Sequence, residues 1–107
     1  MDECIDRAAK IARANDRFRG MALDVTLSQG VIRTMRNPVG LMMAVEQFNS
    51  FDETNDPYSE HDFGALMWEG NRVFWKIDYY DRERKNGSDP LEPGCRRVMT
   101  IMLASEY

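Results

Sequence analysis

The period of the apolar positions changes several times along the 107-residue chain. Ile5, Ala8, Ala9, Ile11, Ala12 and Phe18 recur at helical spacing, while Arg7, Lys10, Arg13 and Arg17 fall on another face, so residues 3–18 read as an amphipathic helix. Asp2, Glu3 and Asp6 suit the dipole of its first turn, and Gly20 suits its end. Met21–Ser28 then alternates, with Met21, Leu23, Val25 and Leu27 on one side, as a half-buried strand does. Gln29-Gly30 breaks the alternation, and residues 31–36 read as a short irregular or single-turn segment. Asn37-Pro38 supplies an N-cap and a first-turn proline for a second helix that buries Leu41, Met42, Ala44, Val45 and Phe48 and ends by Asn49-Ser50.

Residues 49–59 form an acidic loop rich in turn residues. From Asn55 to Asp81 the chain reads as a polar approach, an apolar run, Gly70-Asn71 and a second apolar-aromatic run. Gly first in a two-residue loop predicts a type II′ hairpin with Glu69 facing Arg72. The side-chain alternation of strands then puts Leu66, Trp68, Val73, Trp75, Ile77 and Tyr79 on a core face. It puts His61 opposite Tyr80 on the other face, together with Lys76 and Asp78. Residues 82–95 are a charged Gly/Pro loop, and Arg96–Tyr107 is a last strand with Met99, Ile101 and Leu103 on one side. The order helix, strand, helix, three strands predicts one α+β domain over residues 1–107, a four-stranded, mostly antiparallel sheet with two helices on one face.

Charge alters this picture in one segment. The net charge is −4, yet residues 41–81 hold nine acidic and two basic side chains, while residues 1–40 hold seven basic and five acidic. Phosphates are met by Lys and Arg, so direct nucleic acid binding through the acidic segment is disfavoured and a basic protein surface is the expected partner. The basic stripe of the first helix reads as a solvated face. No apolar run reaches the length of a membrane span and no signal-peptide core follows the charged start, which makes the cytoplasm the expected compartment. Cys4 and Cys95 are isolated and read as free thiols.

Candidate chemistry is sparse. His61-Asp62-Phe63-Gly64 shares three letters with a kinase motif but lacks every other part of a kinase. Glu60, His61 and Asp62 are ligand types, but adjacent strand residues point to opposite faces, and one histidine does not make a transition-metal site; no metal and no cofactor is expected. His61, Lys76 and Tyr80 on one sheet face would supply a base, a cation and an acid for metal-independent RNA cleavage, were the protein an enzyme. The stronger expectation is a contact surface made of Asp56, Tyr58, Glu60, His61, Asp62, Lys76, Asp78 and Tyr80, aromatic anchors set among charges.

The blocks Asn55-Asp56-Pro57-Tyr58, Glu60-His61-Asp62-Phe63-Gly64, Phe74 to Asp81 and Thr100 to Ala104 with Glu106-Tyr107 resemble the signature of an uncharacterised bacterial domain family of unknown function, met mostly on plasmids and other mobile elements. The resemblance spans nearly the whole chain and brings no catalytic residues. It implies a setting beside antirestriction and plasmid-maintenance genes, which is association and not mechanism. The function expected from both lines is a small acidic protein of a mobile element that binds host nucleic-acid machinery, of the restriction or CRISPR type, and inhibits or modulates it. The alternatives are the ribonuclease-like enzyme and a toxin-neutralising partner.

Overall fold

Hairpin geometry decides where the candidate residues go. In a computed structural model of the chain, which describes residues 3–21 and 24–107 with side chains from Arg7 onward, strand β2 (Phe63–Trp68) pairs antiparallel with β3 (Asn71–Tyr80). The reversal falls at Glu69-Gly70 and not at Gly70-Asn71. Both turn residues have positive φ, 50° and 78°, as a type I′ turn requires. Glu69 holds this left-handed conformation, uncommon for a residue with a side chain, because it is tied down on both sides. Its carboxylate accepts from the Arg36 and Asn37 amides, both at 2.9 Å, and its carbonyl accepts from the Asn71 side chain. The register therefore pairs Trp68 with Asn71, Leu66 with Val73 and Gly64 with Trp75, two residues away from the one expected. A shift of two preserves the faces. Trp75, Val73 and Ile77 are buried as the alternation requires.

The sheet order is β1-β4-β3-β2. β4 (Arg96–Leu103) runs antiparallel to β3, and β1 (Val25–Leu27) adds to β4 in parallel, so the sheet is mixed. The final segment does not stay extended to Tyr107: a 3-10 turn takes Ala104–Glu106. Of the expected first strand only Val25–Leu27 pairs; Met21 belongs to the preceding helix, and Ala22 and Leu23 lie outside the described residues.

The helices cover one face. α1 spans Glu3–Met21, running through Gly20, because its buried stripe continues past Phe18 to Arg19. The side chains of Asp2, Glu3, Cys4, Ile5 and Asp6 lie outside those described. The segment expected to be irregular is a short helix, α2 (Gln29–Thr34), capped by Ser28, whose hydroxyl accepts from the Val31 amide. α3 (Pro38–Glu46) begins as expected, with Asn37 as N-cap and Pro at its start. Val31, Leu41 and Val45 from the helices meet Val73, Trp75 and Ile101 from the sheet in one core.

Candidate functional site

The loop between α3 and β2 is built on its own carboxylates. Asp52 accepts from the Thr54 hydroxyl and from the Asn55 and Thr54 amides, and these bonds hold its pKa below the ordinary range. Asp56 is buried, and its carboxylate accepts from the Glu60 and His61 amides at 2.9 and 3.2 Å. This inward carboxylate curls residues 56–61 into a compact turn, with Ser59 and His61 both at φ 57°. Such residues persist only where surroundings over-determine them, and they cluster at binding sites.

The curl turns His61 toward the helices. Its ring lies on Phe51, its Nδ1 is 2.9 Å from Asp16 of α1, and its Nε2 is 3.7 Å from Asp56. Asp16 also reaches Arg19 at 3.3 Å. Arg19 is buried; it donates to the Phe48 carbonyl and lays its guanidinium over Trp75 and Phe51. Burial lowers its pKa and Asp16 opposes that shift. The imidazole thus stands between two carboxylates, fixed by a stack and by a helix.

Two open clefts meet at this ring. One, about 640 Å³, is lined by Phe51, Asp52, Glu53, Asp56, Pro57, Ser59 and His61. The other, about 510 Å³, has a floor of Ala8, Ala9 and Ala12 and a rim of Arg13, Asp16, Tyr58, Ser59 and His61. Tyr58, on the rim of the second cleft, is 78 % exposed.

Behind the loop lies a polar hub. The Asn15 amide group donates to the Glu60 carbonyl and the Tyr79 hydroxyl, at 2.9 and 2.8 Å, and its oxygen accepts from Arg97 Nε at 2.6 Å. Burial raises the pKa of Asp62, and Asp56 raises it further. Burial and then Asp62 raise that of Glu60. Burial pushes the Tyr79 phenol up to about 12. Carboxylates held above their ordinary range beside a cleft are a feature of functional sites.

The expected eight-residue surface is therefore two surfaces. Asp56, Tyr58, Glu60, His61 and Asp62 lie on the helix-covered side or its margin. Lys76, Asp78 and Tyr80 lie on the open side, where Lys76 and Asp78 pair at 3.0 Å. His61 does not face Tyr80, because it precedes the strand and takes its direction from Asp56, not from the pleat. The trio His61, Lys76 and Tyr80 consequently shares no site for RNA cleavage. Asn15, Asp16, Arg19 and Phe51 were not anticipated. The one sequence signal for two of them is that Asn15 and Arg19 continue the spacing of Ile11, polar residues inside an apolar stripe. Among the described residues no group of His, Cys, Asp and Glu is placed to hold a metal ion, Cys95 is a free thiol, and no helix is long and apolar enough to cross a membrane.

No curated protein and no solved structure matches the chain. A family model does, over residues 26–106, a stretch that carries the loop, the acidic wall of the first cleft and nearly all of the sheet but leaves the whole of α1 outside. The chain belongs to that family, described as protein of unknown function (DUF3768).

Proposed function

We propose that this protein is a docking protein rather than an enzyme, and that its clefts on either side of His61 take up a basic segment of another protein. The observation that carries this reading is the pairing of an apolar floor with an acidic wall at one ring. Ala8, Ala9 and Ala12 can receive an apolar anchor, while the exposed carboxylates of Asp52 and Glu53 meet cations in the adjoining cleft. Exposed Tyr58 stands at the rim as an aromatic anchor of the kind that dominates interfaces. Proteins that handle nucleic acid carry basic surfaces, because phosphates are met by Lys and Arg. Host defence machinery of the restriction or CRISPR type is therefore the proposed target, inhibited or modulated in the cytoplasm by a mobile-element protein.

Affinity capture from host extract tests this with Glu53→Lys and Tyr58→Ala, both exposed positions. The expected result is one basic protein captured by the native chain, weakened by raised salt, and lost with the double variant at unchanged thermal stability. Capture unaffected by either change overturns the reading.

A further inference from the structure

Among the described residues, one edge of the sheet is open along its main chain. β2 is the last strand in the order, whereas the opposite edge, β1, has only three residues. In a hairpin with a two-residue loop the closing pair exchanges both main-chain bonds, and every second pair follows it. Gly64, Leu66 and Trp68 therefore direct their N–H and C=O groups to β3, and the bond from the Ile77 amide to the Asp62 carbonyl continues the same series. Phe63, Ala65 and Met67 direct theirs away from the sheet. Natural edges are blunted by charge, proline or a bulge. Phe63–Trp68 has no charge and no proline, and its six pairs with β3 run without interruption. Met67, at 63 % exposure, presents an apolar side chain there.

We propose that β2 pairs antiparallel with β2 of a second copy, about a two-fold axis through Ala65, so that two sheets become one of eight strands. The free groups fix the register. Ala65 faces Ala65 of the partner subunit, and Met67 faces Phe63 of the partner subunit, twice by symmetry. The side chains then match themselves. Two small alanines at the axis allow close approach, and each exposed thioether meets an aromatic ring, a favourable sulfur contact. On the helix side Leu66 lies across from Gly64 of the partner subunit, bulk against the absence of a side chain. Gly64 is kept bare by the Trp75 indole that lies over it. Phe63–Trp68 carries no charge of its own, and an identical neutral strand brings none that would need a partner. The pairing is argued from the main chain and side chains of β2 alone, not from the docking reading.

A six-residue strand pair is a small interface, and the expected affinity is weak, with a dissociation constant on the order of 100 µM. Sedimentation and amide exchange from about 20 µM to about 1 mM cover that range. The expected result is a shift from one-chain toward two-chain mass, with the Ala65 and Met67 amides slowing about fourfold across that range as the dimer fills. Leu66, already bonded to β3, stays protected throughout. Ala65→Pro removes an outward N–H without touching the β3 ladder, and Met67→Lys places charge at the pairing edge. Each should remain a single chain with Leu66 still protected. If Ala65→Pro fails to fold, the exposed Met67→Lys substitution decides alone. One-chain mass at the highest concentration overturns the proposal, as does a dimer in which the Ala65 and Met67 amides exchange freely.

Discussion

The imidazole of His61 lies flat on the phenyl ring of Phe51, with centroids 3.8 Å apart and planes 3° from parallel. Phe51 in turn meets Phe48 and Trp75 edge-on, at 5.0 and 6.0 Å. An aromatic chain therefore runs from the centre of the core to the ring where the two clefts meet. Phe51→Ala should cost about 2 kcal/mol, less than a fully buried Phe because Phe51 is only half-buried. The ring protons of His61 should lose their upfield ring-current shift in the same variant. A variant that keeps that shift would show that Asp16 and Asp56 alone hold the imidazole.

Gly64 and Trp75 form a second obligatory pair. A Cβ on Gly64 would fall inside the Trp75 indole, which is itself wholly buried and cannot yield. Gly64→Ala should therefore destabilise by about 1–3 kcal/mol, the usual cost of overpacking. The denaturant midpoint and tryptophan emission report it together. A neutral effect would mean that the indole can swing toward the helices.

Much of this arrangement can be read in the sequence, and the gaps have physical causes. The core face of the hairpin was legible because period-two alternation survives a shift of two residues. The turn itself was misplaced because glutamate at positive φ is disfavoured in isolation. The distant Arg36 and Asn37 amides, with the Asn71 side chain, hold it there. His61 was misplaced for a similar reason. The alternation was extended past Phe63 into a loop whose direction is set by one buried carboxylate, and a side chain acting as a main-chain cap leaves no periodic signal. The Asn15 and Arg19 sites needed knowledge of which sheet residues α1 would meet.

The carboxylates divide by sign, which gives a pH test. Asp62 and Glu60 are held above the ordinary range, first by burial and then by neighbouring carboxylates. For a group with a raised folded pKa the stabilising contribution is complete below the unfolded value and is lost as pH rises through the folded one. Near pH 7 both ionised groups therefore weaken the fold. Glu106 has the opposite sign. The Ser28 hydroxyl, with the Leu103 and Gly30 amides, holds it below the ordinary range. Its contribution is present above the unfolded value and is lost as pH falls through the lowered one. Asp62→Asn should raise the urea midpoint at neutral pH, with the gain vanishing toward the ordinary carboxylate range. Glu106→Gln should lower it at neutral pH, with the loss closing at more acid values. An Asp62→Asn midpoint at or below the native one near pH 7 would contradict the burial argument.

Asn15 is the residue through which α1, the loop and the sheet are joined, and it carries the most demanding prediction. It satisfies the Glu60 carbonyl, the Tyr79 hydroxyl and Arg97 Nε at once, and it is wholly buried. Asn15→Leu keeps the branched heavy-atom skeleton but makes none of the three bonds, leaving polar groups unpaired at about 1–3 kcal/mol each. Some of that is recovered if water enters, so a net loss of about 3 kcal/mol is expected. Asn15→Asp is the sharper variant. It can still accept from Arg97 but can no longer donate, and it adds a charge beside Asp62 and Glu60, already unfavourable as ions. Its instability should therefore be greatest at neutral pH and should ease as the solution is acidified, whereas that of Asn15→Leu should not depend on pH in this way. Combining Asn15→Leu with Tyr79→Phe should cost less than the two changes separately, by about 1 kcal/mol, because the second deletion removes a hydroxyl the first had orphaned. Strict additivity in denaturant unfolding would mean that the Tyr79 hydroxyl does not depend on Asn15.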